Sequence, residues 1–413
     1  MHDTELYRRI LGLEAPWSVT EVKLNVKEER VDIWVGHKEG IHWPCPECQT
    51  LLTLYDHTEE RAWRHLDTCQ MKTYLHACPP RVGCKEHGVR QVILPWAEPM
   101  SRYTALFEGV AIDVLKECDI QGASRILRLG WEALWNIMDR AVERGLLAKK
   151  KRVPAMIGVD EKAIAKGHSY FTLVNDLKRG MVEYIAEDRK QASLDGYFQQ
   201  FTAKKLGKLQ AVAMDMHEPY VQSVLEQVPQ GEDKIVFDRF HIMQHMGEAV
   251  DKVRRQENRD LVEEGDERLV KTKYLWLYAP ENMPEKHLER FDALKRQSLK
   301  TSRAWAIKEC LKGLWSYVYR GAAERFWRQW HGWAVRSRLQ PVLKVARMIR
   351  SHLHNILTYC KHRITNAVSE GINSKIQEIK KMACGYRNRD HFKIAIFFHC
   401  GGLQLYPGTH REP

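Results

Sequence analysis

The most constraining feature of the sequence is a succession of short apolar segments between residues 155 and 238. Residues 155–187 contain three strand-like segments separated by short polar turns. The segments that follow are a helix around 192–205, an apolar strand at 209–215, a helix near 218–228 and a strand at 234–238. This β-β-β-α-β-α-β order predicts an α/β domain.

Two of these apolar strands end in an aspartate. Asp160 lies in the segment IGVDE, and Asp215 lies in AVAMD. Side chains at the ends of strands converge on ligands in α/β sheets, and oxygen-rich groups are the ligands that Mg²⁺ prefers. The pair is therefore a candidate site for Mg²⁺, with Mn²⁺ as a possible substitute.

A distal helix at 365–383 offers a third carboxylate, Glu370. Helical spacing places it on one face with Asn366, Asn373 and Gln377. A separate apolar face consists of Val368, Ile372, Ile376 and Ile379. If the isoleucines pack on the sheet, Glu370 can point toward Asp160 and Asp215. The alternative is that the three acids are ordinary solvated residues among 53 Asp and Glu.

The segment Asp238-Arg-Phe-His241 directly follows the strand at 234–238. Its aspartate and histidine are either further metal or DNA ligands, or a structural cap in which Asp238 accepts from the next helix N-terminus. The sequence favours neither possibility.

The N-terminal region contains two chelating pairs, Cys45 with Cys48 and Cys84 with His87. Each pair has two residues between its members, so that one tight turn can present both ligands to a tetrahedral Zn²⁺. Such a closed site is structural; the alternative is buried thiols beside a surface histidine. Four residues in the intervening loop could replace one ligand: His65, Cys69, His76 and Cys78.

Residues 119–147 are typical of a helix-turn-helix motif. A short helix ends at Gly130 and a longer one begins at Trp131, and the second helix of such a motif enters the DNA major groove. The side chains predicted on its exposed face are Glu132, Asn136 and Arg140. The expected DNA contacts are Arg125, Asn136, Arg140 and, on the distal helix, Lys375. The alternative is a plain helical hairpin.

The charge balance supports a nucleic-acid partner. The 413-residue chain carries 65 Lys and Arg against 53 Asp and Glu, a formal charge of +12. Neither a transmembrane segment nor an apolar signal core is present, and ten cysteines in a chain of this length are typical of cytosolic thiols. We therefore expect a cytoplasmic, nucleoid-associated protein without a membrane partner.

The sequence divides into five predicted segments. They are a β-rich zinc-binding domain at 1–98, a helix-turn-helix domain at 99–150, the first part of a catalytic domain at 155–241, a helical insertion at 242–360, and the final part of the catalytic domain at 361–402. The insertion is rich in tryptophan, and we interpret these side chains as mostly core, with stacking of one on an extrahelical base as the alternative.

Taken in order, these motifs resemble those of bacterial insertion-sequence transposases of the ISL3 type. The resemblance runs from about residue 40 to 400, and the segment SEGINSKIQEIKKMACGYRN is its most specific part. It implies an RNase H-like domain of DDE type, interrupted by an all-α insertion. The implied catalytic triad is Asp160, Asp215 and Glu370, with Asp238 and His241 as an accessory element. Asp238 is the alternative second acid.

The resemblance implies two Mg²⁺ ions, hydrolytic cleavage at the terminal inverted repeats, strand transfer into target DNA and a homodimer that joins two ends. Two other functions stay open at this point. One is a non-catalytic DNA-binding regulator, and the other is a metal-dependent nuclease or resolvase that cuts without joining.

Overall fold

The computed structural model describes residues 2–165, 169–278 and 282–408. The chain forms two compact units, one of residues 1–150 with 378–413 and the other of residues 151–377. Among the described residues, none of the helices combines the length and the hydropathy needed to cross a membrane.

The first unit begins with helix α1 (Asp3–Ile10) and two β-sheets. Its strands are β1 (Trp17–Asn25), β2 (Arg30–His37), β3 (His42–Pro44), β4 (Leu51–His57), β5 (Arg61–Thr68), β6 (Met71–Ala77), β7 (Pro80–Cys84) and β8 (Gly88–Gln91). One sheet has the order β1-β2-β6-β5, and the other has the order β3-β4-β7-β8. Alternate residues of β2 (Val31, Ile33 and Val35) are buried, as the period of a half-buried strand requires.

Three helices follow in the first unit: α2 (Ala105–Glu117), α3 (Ile120–Leu127) and α4 (Trp131–Ala148). The side chain of Asp119 accepts from Gly122 N and caps α3. Arg128 ends α3 in the left-handed conformation, with φ 53°, and turns the chain into α4. The short helix, tight turn and long helix agree with the predicted helix-turn-helix.

The C-terminal helix α17 (Arg389–Cys400) also packs in the first unit. Phe398 and Leu405 are buried in the same apolar cluster as Ile112 and Leu134 of the helical region. This differs from the sequence-based division, which assigned residues 361–402 to the catalytic domain. The apolar run FKIAIFFH predicts burial, but it does not indicate which partner covers it.

The second unit is built on a mixed sheet. Its strands are β9 (Met156–Ala165), β10 (Ser169–Asp176), β11 (Met181–Glu187), β12 (Ala211–Met214) and β13 (Ile235–Phe237), in the order β11-β10-β9-β12-β13. Strand β10 is antiparallel to both of its neighbours, whereas β12 is parallel to β9 and to β13. This is the RNase H-like arrangement, which confirms the expected fold class.

Three helices connect these strands: α5 (Gln191–Phe198), α6 (Ala203–Leu206) and α7 (Glu218–Gln227). The single helix predicted around 192–205 is therefore two helices, which the non-helical residues 199–202 separate.

A helical insertion follows β13. Its helices are α8 (Arg239–Glu263), α9 (Lys273–Leu277), α10 (Glu285–Lys295), α11 (Lys300–Leu311), α12 (Arg320–Arg336), α13 (Gln340–Ser351), α14 (Leu353–Leu357) and α15 (Tyr359–His362). Trp276, Trp315 and Trp330 are buried, and Trp305, Trp327 and Trp333 pack against the same cluster. The tryptophans of the insertion therefore belong to its core, as the sequence favours.

Helix α16 (Ala367–Met382) packs against β9 through small side chains. Asn366 and Ser369 are buried, and they lie so close to Gly158 that a Cβ there would come within 2.6 Å of Asn366 Oδ1. Glycine at position 158 therefore permits the close approach of helix and strand.

We predict that Gly158→Ala separates α16 from β9 and lowers the free energy of unfolding by about 1–3 kcal/mol, the usual cost of overpacking. The matched control is Gly371→Ala in the same helix, where a new Cβ meets no atom within 4 Å. That change should stabilise the protein by about 0.5–1 kcal/mol. Urea unfolding of both variants measures the difference, and equal midpoints would contradict this account of the packing.

Candidate functional site

The strand register brings three aspartates to one edge of the sheet in the second unit. Met214 of β12 pairs with Phe237 of β13, so the next residues, Asp215 and Asp238, leave their strands side by side. Ala213 pairs with Gly158 of β9, so Asp215 is also level with Asp160, two residues further along. The parallel pairing of these strands therefore determines the positions of the three aspartate side chains.

Asp215, Asp238 and His241 form a compact cluster of metal-ligating groups. One ligand atom from each lies within 4.8 Å of the others. His241 Nε2 is 2.8 Å from Asp215 Oδ1, and this contact raises the pKa of the imidazole. Oδ1 of Asp238 accepts from Phe240 N at 3.2 Å and caps α8, so the structure shows the cap that the sequence allows, and the same carboxylate belongs to the cluster.

Asp160 is the most strongly perturbed carboxyl of this site. Burial raises its pKa to about 7, and the neighbouring charge of Asp215 adds to the shift. Its Oδ1 accepts from Glu161 N at 2.8 Å, and its Oδ2 accepts from the Asn373 amide at 2.7 Å. Burial also raises the pKa of Asp238, whose Oδ2 is buried with no hydrogen-bond partner among the described residues. Crowded carboxylates of this kind fit a divalent cation, because its charge offsets both their repulsion and their burial.

Glu370 lies on α16, one turn before Asn373. Its side chain is exposed, and within the described part of the chain it makes neither a hydrogen bond nor a salt bridge. The residue of this helix that touches Asp160 is Asn373. Asn366, on the predicted polar face, is buried, and Val368, on the predicted apolar face, is 36% exposed. The three isoleucines of the apolar face are buried as expected.

The structure of the first unit brings Cys45, Cys48, Cys84 and His87 together. Cys45 and Cys48 lie in the turn after β3, and Cys84 and His87 lie at the turn between β7 and β8. Cys48 Sγ is 3.7 Å from Cys84 Sγ, and His87 Nδ1 is 3.5 Å from Cys84 Sγ and 4.0 Å from Cys45 Sγ. Ligands about 2.0–2.3 Å from a tetrahedral Zn²⁺ are separated by about these distances. The donor set therefore fits zinc.

The other candidate ligands of this region have different partners or positions. His65 Nδ1 is 2.9 Å from Thr104 Oγ1, and the two ring nitrogens of His76 face Asp32 and Glu60. The remaining two, Cys69 and Cys78, are exposed free thiols. None of the four belongs to the cluster of Cys45, Cys48, Cys84 and His87.

The helix-turn-helix residues differ in their surroundings. Arg125 and Asn136 are exposed, as a DNA contact requires, and Lys375 on α16 is also exposed. Arg140, also predicted to contact DNA, instead forms a salt bridge with Glu108, which is 1% exposed. The guanidinium of Arg140 therefore neutralises a buried carboxylate inside the helical region, a role that the sequence does not indicate.

Three family models match successive parts of the chain. Residues 42–87 match a zinc-finger of the transposases of IS204, IS1001, IS1096 and IS1165. Residues 92–142 match the helix-turn-helix domain of transposase family ISL3, and residues 157–396, more than half of the chain, match the ISL3 transposase domain of DDE type. The chain belongs to the ISL3 family of insertion-sequence transposases.

Two relatives extend the family match over most of the chain. A transposase for insertion sequence element IS1001 from Bordetella parapertussis is 27% identical over 361 residues, which cover 85% of this chain and 87% of the relative. A transposase for insertion sequence element IS1557 from Mycobacterium tuberculosis is 24% identical, with 100% of this chain and 99% of the relative covered. Along this chain the matched order is zinc ribbon, helix-turn-helix and DDE domain.

Sequence reasoning missed the role of Asn373 in this transposase. It placed Asn373 on the face of Glu370 without linking it to Asp160. Helical spacing alone cannot decide which of two neighbouring polar positions touches the sheet, because this depends on the close approach at Gly158.

We predict that the transposase binds one Zn²⁺ per chain and that Cys45→Ser releases it. The N-terminal region should then unfold, because the binding energy of a structural zinc is part of the folding energy. Elemental analysis and limited proteolysis measure the two effects, and Cys69→Ser, at an exposed thiol outside the cluster, is the matched control. Freshly purified wild-type protein without zinc would rule out the site.

Proposed function

We propose that Asp160, Asp215 and Glu370 are the catalytic triad and hold two Mg²⁺ ions, with Mn²⁺ as a possible substitute. The observation that carries the proposal is the common level of Asp160 and Asp215 at one edge of the sheet, with α16 fixed beside them by the bond from Asn373 to Asp160. Glu370 lies one turn from Asn373, and its carboxylate forms no hydrogen bond or salt bridge with any of the described residues. It is thus available as a ligand.

The reaction we propose has two steps, hydrolysis at the transposon ends and in-line transfer of the freed 3′-hydroxyl into target DNA. Bound divalent cations would activate the attacking oxygen and stabilise the leaving oxygen. The residues Asp160, Asp215 and Glu370 supply the ligating charges. His241 is a positioning residue that orients Asp215 through their 2.8 Å contact, and Asp238 is an accessory ligand that also caps α8.

The zinc ribbon and the helix-turn-helix are proposed to bind the terminal inverted repeats. Arg125 fits a phosphate contact, and Asn136, exposed on the second helix, fits a base contact in the major groove. Lys375 is proposed to contact DNA from α16. Because two ends must be brought together, we propose a homodimer, which light scattering with and without end DNA would test.

A labelled duplex that contains the element's end, incubated with the protein and Mg²⁺, distinguishes the candidate functions. A transposase cuts the duplex and joins it to a target. Cutting without joining would indicate a nuclease or resolvase, and binding without cutting would indicate a regulator.

We predict that Asp160→Asn, Asp215→Asn and Glu370→Gln each reduce cleavage by at least about a hundredfold, because each removes a metal-ligating charge worth several kcal/mol. Binding of end DNA should be nearly unchanged, since the phosphate contacts lie elsewhere. Gel assays of cleavage and binding measure both effects, with the exposed Glu289→Gln as control. Asp238→Asn should have a weaker effect. If Asp215→Asn cleaved DNA as fully as wild type while Asp238→Asn was folded but inactive, Asp238 would be the second acid.

We predict that Arg125→Ala weakens binding to all DNA sequences and lowers the slope of log affinity against log salt by about 1. Asn136→Ala should instead reduce the preference for the end sequence, with a cost of about 1–3 kcal/mol. Titrations of the full chain at several salt concentrations separate the two effects, and Arg9→Ala, on the exposed helix α1, is the control. If both variants bound end DNA like wild type, another surface would make these contacts.

A further inference from the structure

One aromatic side chain stands exposed beside the acidic cluster of the second unit. Phe240 lies between Asp238 and His241 and is 56% exposed. Its ring meets the His241 ring edge to face, with centroids 5.5 Å apart. The tryptophans of the insertion are in its core, so they do not supply an exposed aromatic surface here. An apolar ring of this size at a polar site is available for contact with a ligand.

Phe240 is also the first residue of a groove that runs along α8. The groove has a volume of about 790 Å³, and its lining includes residues of α8, α9 and α11. The α8 residues that line it extend from Phe240 to Arg255, a distance of about 22 Å at 1.5 Å per residue. A groove of this length starts next to the proposed catalytic acids and leads away from them.

The lining of the groove is basic. Its charged residues are Lys252, Arg255, Lys273, Lys308 and Lys312, against Glu248 and Asp251. Lys308 is buried, and both Lys308 and Lys312 form salt bridges with Glu309. Asp251 already forms salt bridges with Arg254 and Arg255. Lys252 and Lys273 are exposed, so they add positive charge to the surface of the groove. The charge complements a polyanion.

We propose that this groove binds a locally single-stranded segment of the cleaved DNA strand and that Phe240 stacks on a base next to the scissile phosphate. A basic groove for the backbone with an aromatic platform for the bases is the general design of single-strand binding sites. The inference rests on the proposed function for the identity of the strand, but single-strand binding can be measured without cleavage. It makes Phe240 a substrate-positioning residue.

The first test measures the affinity of the full-length protein for a fluorescent 15-nucleotide oligodeoxythymidine, because stacking on an aromatic ring tolerates any base. Phe240→Ala should weaken binding about tenfold, and Phe240→Leu should do the same, because it keeps apolar bulk without a ring. Phe240→Trp should bind like wild type or better. Tyr319→Ala removes a ring that is 79% exposed and does not line the groove, so its affinity should be unchanged.

Substitution of two groove lysines tests the path of the DNA strand. The double change Lys252→Ala with Lys273→Ala should lower the salt slope for the oligonucleotide by about 1.4, at about 0.7 per phosphate contact. Lys286→Ala, an exposed lysine outside the groove, should leave the slope unchanged.

The second test compares cleavage of a paired end duplex with cleavage of the same duplex carrying mismatches at the cut site. The Phe240→Ala variant should cleave the paired duplex more slowly than wild type, and it should cleave the mismatched duplex at about the wild-type rate. Wild-type binding of the oligonucleotide by Phe240→Ala, or an equal defect on both duplexes, would overturn the inference. If the wild-type protein cut neither duplex, the proposed function would fail, and the oligonucleotide measurements would still decide the role of the groove.

Discussion

The parallel pairing of β9, β12 and β13 is the constraint on which the rest of the catalytic unit depends. It brings Asp160, Asp215 and Asp238 to the same edge of the sheet, where burial and like charge raise the pKa of Asp160 and Asp238. Such an arrangement is unfavourable in itself. It persists because the strands beneath it are held by a core in which Ile157, Val212 and Ile235 are fully buried.

A second constraint acts where α16 packs on β9, through residues that carry no charge. Gly158 lets α16 approach until Asn366 and Ser369 are buried against the strand. Only at this separation can the short amide of Asn373 reach Asp160. The amide donates a hydrogen bond to one oxygen of Asp160 without adding a charge. The negative charge of the carboxylates is therefore left for the proposed cation to compensate. Glu370 can therefore stay solvent-exposed while its helix is held in place.

The sequence predicts the architecture well, because apolar periodicity and strand-ending acids are local signals. The strand order of 155–238, the helix-turn-helix and the two chelating pairs, Cys45 with Cys48 and Cys84 with His87, all follow from residues close together in the chain. The meeting of the two pairs follows instead from the preference of Zn²⁺ for four ligands. Contacts between distant segments are not encoded in this way. The salt bridge of Arg140 depends on Glu108, a charged residue in an amphipathic helix that gives no sign of its burial. The packing of α17 with the N-terminal helices is equally invisible to periodicity.

Asp238 explains why the helical insertion begins where it does. Its carboxylate caps α8, so the first turn of a 25-residue helix starts at the acidic cluster. The backbone N–H of Phe240 in this first turn donates to Asp238, which lowers the pKa of that carboxyl and opposes part of the burial effect. In the same turn, the contact with Asp215 raises the pKa of His241. The insertion is therefore electrostatically part of the proposed active site: shortening or shifting the start of α8 would change the charge balance of the carboxylates, even if every strand of the sheet kept its register.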